Sequence, residues 1–365
     1  CLTIAEEGHR RELGGHFSIV HSEVERRPVD PDLLEELLVQ PLEWFEAERL
    51  CLVAVVAQAA RAGLAGIAWD VTVSTAVLFE TRNYTENWRE CAETALASAR
   101  AAGDLRGQGA ALENLGAVAL RLHSMDDALV RFEEALRLFR AAGEELGRAL
   151  TLRNLSMIHR LKGEAKAGEE CLSEALPIFR AAGDLSSEAS CLQNMAQLAL
   201  DRGDAAAASE LGLNAVRVSE SMGAGGSRNL AQALYRVAHA QLALGRCEEA
   251  EASFLRVERL VLAKSDTHGL AHALFGLGLS RSASGASGAT ESAEAAFVEA
   301  RKAAQLADGP VIEGQIRLRL GQLLQGGGRT AEAAAELRAA RDLFTRSGAA
   351  RWQTETARAL EGLGG

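Results

Sequence analysis

The chain has 365 residues, 4% of them aromatic and 48% apolar, and its 50 acids outnumber its 39 bases for a formal charge of -11. That balance argues against direct contact with nucleic acid, which needs a clustered basic face. No apolar run reaches the roughly 18 residues of a membrane span. The six cysteines, at 1, 51, 91, 171, 191 and 247, form no CxxC pair. They read as reduced, small apolar residues of a cytoplasmic protein, not as zinc or redox ligands. The chain opens at Cys1 with neither an initiator Met nor a leader pattern, which suggests a segment of something longer.

In chain order, residues 1–26 read as helical, residues 27–31 with two prolines as a connector, and residues 41–63 as one long helix. Together residues 1–67 form an N-terminal helical connector. Residues 68–103 fit a degenerate leading repeat with Ala76, Trp88 and Ala95 at its small or core positions, although Trp88 is large where a small residue is wanted.

From residue 104 the sequence repeats itself. Residues 100–104, 140–144 and 180–184 read RAAGD, RAAGE and RAAGD; Gly103, Gly143, Gly183 and Gly223 stand 40 apart. Each period holds two amphipathic helices, the first with Leu112, Leu115 and Ala119, the second with Ala128, Phe132, Ala135 and Phe139. Gly143 suits a left-handed helix end, and the acid after it suits the next helix start. Small residues mark the crossings: Gly116, Ser156, Ala196, Ala238, Gly278 and Gly321 in the first helix, and Ala135, Ala175, Ala215, Val257, Ala300 and Ala340, with one larger Val, in the second. Bulky Phe132, Leu172, Phe254, Phe297 and Leu337 fill the gaps beside them.

This pattern resembles the tetratricopeptide repeat, with a period of about 40 instead of 34. The implied fold class is all-α, a right-handed α-solenoid: six repeats over residues 104–348 and a capping helix over 349–365. Turns are expected at 123–127, 162–165, 202–205, 245–248 and 326–330, a mobile loop at 282–290, and a kink or early end at Pro177.

No phosphate loop, nucleophile elbow or zinc-protease motif occurs, so enzymatic activity, a metal site and a bound cofactor are not expected in this segment. His268 and His272 stand four apart on one helix, but no third ligand accompanies them. The first helices of such arrays line a groove, and the residues just before the core Leu face partly into it. Asn114, Asn154 and Asn194 fall there, and three amides in line can bond an extended peptide backbone. The alternative is that each satisfies a neighbouring loop or helix end. Arg121, Arg153, Met157, Arg160, Gln193, Gln197, Tyr235, Arg236 and His239 complete the candidate binding surface. Five Arg (with Arg319) against Glu113 and Asp201 suit an acidic or carboxylate ligand, though ordinary scatter of surface charge gives the same count.

Residues 41–60 (PLEWFEAERLCLVAVVAQAA), 67–80 (IAWDVTVSTAVLFE) and 87–104 resemble the junction that follows the nucleotide-binding region in actinobacterial SARP-type regulators and related STAND signalling ATPases. The resemblance implies the sensor arm of a transcription regulator, binding a peptide, protein or small effector. Its ATP or ADP, its switch and its DNA-binding module would then lie in an upstream part. The arm's own NTPase domain is a further implied partner, and self-association to a homo-oligomer is compatible. The other reading is a constitutive scaffold or oligomerisation module with no effector.

Overall fold

The computed structural model describes residues 1–363 of the protein; the last two residues of the expected cap lie outside the described residues. The described residues form eighteen α-helices. The first three are α1 (Leu2–Glu12), α2 (Pro31–Leu37) and α3 (Pro41–Arg61). Helix pairs follow: α4 (Ala65–Thr81) with α5 (Thr85–Ala102), α6 (Leu105–Arg121) with α7 (Met125–Ala142), and α8 (Glu145–Leu161) with α9 (Ala165–Ala182). Then come α10 (Leu185–Asp201) and α11 (Ala205–Ser221), α12 (Ser227–Ala243) and α13 (Cys247–Leu262), and α14 (Thr267–Ser284) and α15 (Ala289–Leu306). The series ends with α16 (Pro310–Gly326), α17 (Thr330–Ser347) and α18 (Ala350–Glu361). The fold class is the one expected, an all-α solenoid of tetratricopeptide type.

The chain divides into two compact units, residues 1–198 with 218–226, and residues 199–217 with the chain from 227 onward. In the first, α6 packs on α7 and α8 on α9; in the second, α12 packs on α13, α14 on α15 and α16 on α17.

The caps follow the sequence closely. Gly103, Gly143 and Gly183 close their helices at φ of 67°, 68° and 66°, a conformation that a Cβ strains. The acid after each glycine caps the next helix: Asp104 accepts from the Gly107 amide, Glu144 from Leu146 and Gly147, and Asp184 from Ser187.

In several pairs the packing rests on a ring set against a missing side chain. A Cβ on Gly116 would lie 2.6 Å from Phe132, and one on Gly278 2.4 Å from Phe297. Phe139 sits between two glycines, Gly109 and Gly147, on the helices before and after its own. Phe132, Phe139, Phe254 and Phe297 are all fully buried. Each ring removed from water contributes about 1.5–3 kcal/mol, the term that offsets helix-ordering entropy in a chain with few aromatics.

Three expectations are corrected. Residues 1–26 are not continuously helical: α1 ends at Glu12, Gly14 and Gly15 take φ of 76° and 75°, and residues 16–30 contain no helix. β-branched Ile19, Val20 and Val24 suit that extended course. Pro177 does not end its helix, because α9 runs through it to Ala182 with the proline ring exposed. The loop expected at 282–290 shrinks to residues 285–288, since α14 continues to Ser284 and α15 starts at Ala289.

Candidate functional site

In the first unit, the inward stripe of each first helix follows the spacing i, i+4, i+7, i+11, which returns to one face of an α-helix. It reads Gly66, Asp70, Val73 and Val77 on α4; Arg106, Ala110, Glu113 and Ala117 on α6; Leu146, Leu150, Arg153 and Met157 on α8; and Ser186, Ser190, Gln193 and Gln197 on α10.

The carboxy-terminal half of this stripe carries Arg153, Met157, Gln193 and Gln197 of the residues singled out by sequence, with Asn154 and Asn194 one position beyond it. Asn154 donates from Nδ2 to Glu113 Oε1 at 2.7 Å. Burial raises the Glu113 pKa to about 7; Glu80 pushes the same way, while Arg153 and the Asn154 hydrogen bond oppose it. Arg153 donates to Ser187 Oγ at 3.2 Å, and its guanidinium stands 5.6 Å from the Phe17 ring centre. Met157 is exposed; Asn154, Asn194, Gln197 and Arg160 are half-buried, and Gln193 is buried. Arg121 reaches outward to donate to Asn83 Oδ1.

Asn114 is a correction. It is 2% exposed, accepts the Trp88 indole N–H at 2.7 Å and donates to the Ala110 carbonyl at 2.9 Å. A buried indole N–H needs an acceptor, and the large residue at position 88 draws Asn114 into the core. The three Asn therefore do not form a ladder of equivalent free amides.

The amino-terminal half of the stripe holds something the sequence reading missed. Residues 16–26 lie across it as an extended strap. The Ser186 amide donates to the His16 carbonyl at 3.0 Å, and the Ser18 amide donates to Asp184 Oδ2 at 3.1 Å. The strap thus meets the start of α10 through a carbonyl and an amide two residues apart. Val20 is buried in the same cluster as Trp69, Val73 and Ala110, with Phe17 and Ile19 packed against it. Farther along, Val24 meets Gly66 where a Cβ would come within 2.8 Å, and Glu23 approaches Arg106 at 3.9 Å.

Asp70 anchors the strap. Its carboxylate is fully buried and accepts from His21 Nδ1 (2.9 Å), the Ser22 amide (2.8 Å), Ser22 Oγ (2.7 Å) and Arg26 Nη2 (2.6 Å). Burial alone would raise its pKa, but the hydrogen bonds from His21 and Ser22 hold it below the ordinary carboxylate value. Asp184 goes the other way: burial raises its pKa against the pull of the Ser187 and Ser18 donors. The signal that points to the strap is the pair of helix-breaking glycines before a β-branched run, but which surface it covers depends on residues far along the chain.

In the second unit, Tyr235, Arg236 and His239 lie on α12. Tyr235 and His239 stack edge-on at 4.4 Å, His239 meets Phe254 at 5.4 Å, and the Arg236 guanidinium stands 5.6 Å from the Tyr235 ring. Tyr235 Oη lies 3.4 Å from His272 Nδ1. Burial lowers the pKa of both His239 and His272 to about 4, so each is neutral at physiological pH. The rings of His268 and His272 are 4.9 Å apart, yet among the described residues no group of three His, Cys, Asp or Glu could hold a metal ion. His272 instead belongs to the aromatic cluster around Tyr235.

A tetratricopeptide-repeat family model matches residues 147–221. No curated protein sequence matches the chain. Among solved structures, the chain resembles the apo form of the quorum sensor NprR from B. thuringiensis, with TM-score 0.63 and 16% identity over 87% of this chain and 89% of that one. It also resembles a Rap protein complexed with competence and sporulation factor, with TM-score 0.54 and 14% identity over 87% and 97%. A third is a signal transduction ATPase with numerous domains with a tetratricopeptide repeat sensor, from Pyrococcus horikoshii. That match has TM-score 0.50 and 11% identity, covering 98% of this chain and 63% of that one. These likenesses establish the fold.

Proposed function

We propose that the chain is the sensor and protein-interaction arm of a transcriptional regulator of the SARP and STAND type, acting in the cytoplasm by binding and not by catalysis. The observation that carries this reading is the inward stripe of the first unit. There Glu113 and Arg153, with Asn154 at its edge, place an acid, a cation and an amide side by side among exposed or half-buried neighbours, a surface with donors and acceptors for a peptide or protein. Solved structures of similar fold include a quorum sensor, a Rap protein bound to a signalling factor and a sensor-bearing ATPase, which supports the same reading. The nucleotide and the DNA-binding module would belong to an upstream part of a longer protein. A ligand on the arm shifts that switch only by its difference in affinity for the two states, typically 1–3 kcal/mol.

The test is nucleotide exchange on the longer protein that this reading requires. Release of a fluorescent ADP analogue should change when Arg153→Ala and Asn154→Ala are introduced together. Exchange that is identical with these substitutions, and identical again with the arm removed, would refute the sensor role.

A further inference from the structure

We propose that the amino-terminal half of the stripe in the first unit is a binding site for an extended peptide, occupied in cis by residues 16–26. The peptide it takes has an aromatic and two aliphatic residues followed by a hydrogen-bonding pair and a cation. The inference deepens the sensor reading and rests on it.

Three features distinguish the strap from ordinary loop packing. It is held at two separate points by donors and acceptors, Ser186 and Asp184 at the start of α10 and Asp70 in the second turn of α4. This is how extended peptides are recognised: backbone bonds for affinity, alternating side chains for specificity. Next, Asp70 accepts four hydrogen bonds from the strap, so its carboxylate stays fully buried and paired while an extended segment lies over it. An uncovered Asp70 becomes a solvated acid that attracts the next segment offering an N–H and a cation. Finally, the strap is bounded by segments outside any helix: Gly14 and Gly15 have positive φ, and residues 27–30 contain Pro28 and no helix.

The strap also decides the ligand's charge. The floor of this half-site presents Asp70, Asp184 and Arg106; Arg106 is paired with Glu144, whereas the buried Asp70 takes the Arg26 guanidinium, so the site selects a peptide with a basic residue at that position. A tethered segment competes at an effective concentration of about millimolar, so an outside peptide binds with an apparent affinity reduced by the fraction of time the strap is down.

The probe is a fluorescent synthetic peptide with the sequence of residues 15–27, GHFSIVHSEVERR, titrated by anisotropy against the 365-residue chain. Wild type should bind it weakly. Val20→Asp, which expels the strap's buried valine, should bind at least tenfold more tightly, and adding Asp70→Asn should lose at least tenfold of that. A Val20→Asp chain with the wild-type helical circular dichroism spectrum and no gain in binding overturns the proposal. If that variant does not fold, hydrogen exchange on wild type decides. The Ser18 and Ser22 amides should exchange at least tenfold faster than the core amides of α6, and exchange only by global unfolding overturns it. Failure here leaves nucleotide exchange to judge the sensor role; peptide binding with no effect on exchange refutes the sensor role and keeps the site.

Discussion

Two side chains on α6 define how single residues behave in this protein. Asn114 and Glu113 are adjacent in sequence, but one is a core polar group and the other a groove acid. Asn114→Ala leaves the Trp88 indole N–H buried without its acceptor, and thermal or urea unfolding should show a loss of about 1–3 kcal/mol. Asn154→Ala, whose partner Glu113 is half-buried, should cost clearly less. Glu113 also makes stability depend on pH. Its folded pKa of about 7 lies above the ordinary value of 4.5, so the folded chain holds a proton that the unfolded chain releases. The stability it contributes is complete below about 4.5 and is lost as pH rises through about 7. Urea unfolding of wild type and Glu113→Gln at several pH values should show this in the difference between the two chains, with wild type losing ground to the variant between pH 5 and 8. The buried histidines carry the opposite sign. His239 and His272 are neutral in the folded chain down to about 4. Their contribution is therefore present above about 6.5 and falls away as pH drops toward 4, and His239→Phe should flatten part of that acid loss.

At the scale of the element, several helix pairs are built on one large side chain facing one absent or minimal one. Ala135 is fully buried at such a crossing. Ala135→Leu should destabilise by about 1–3 kcal/mol through overpacking, and unchanged thermal unfolding would show that the crossing lies elsewhere. Because a repeat packs on its neighbours, the damage should concentrate in amide exchange of α6, α7 and α8. Pro177 shows how far packing overrides local preference. Its missing N–H and ring clash cost a helix interior about 3 kcal/mol, yet Leu172, Ala175 and Phe179 on the same helix are fully buried and hold α9 to its full length.

For the whole molecule, charge sets the partners. A chain of formal charge -11 should show no salt-dependent retention of duplex DNA at physiological ionic strength, because such binding arises from counterions released by Lys and Arg. Salt-sensitive binding in a gel-shift titration of this chain would contradict that. Among the described residues no helix is long and apolar enough to cross a membrane.

The helices, their caps and the small-against-large crossings were legible in the sequence because they depend on neighbours three, four or forty residues away, a distance that a repeat prints as a period. The turns fall within three residues of where the glycines and acids put them. The roles of individual polar residues were not legible in that way. Asn114 and Asn154 occupy the same position in the repeat, but the side chain facing Asn114 is Trp88, and a period cannot show where the pattern's exception will reach. The strap was hidden for a stronger reason. Whether residues 16–26 are helix or extended chain is decided by Asp70, Arg106, Asp184 and Ser186, which lie roughly 40 to 170 positions away. Local preference sets the elements, whereas hydrogen-bond satisfaction of buried carboxylates is a tertiary condition that only the folded chain imposes.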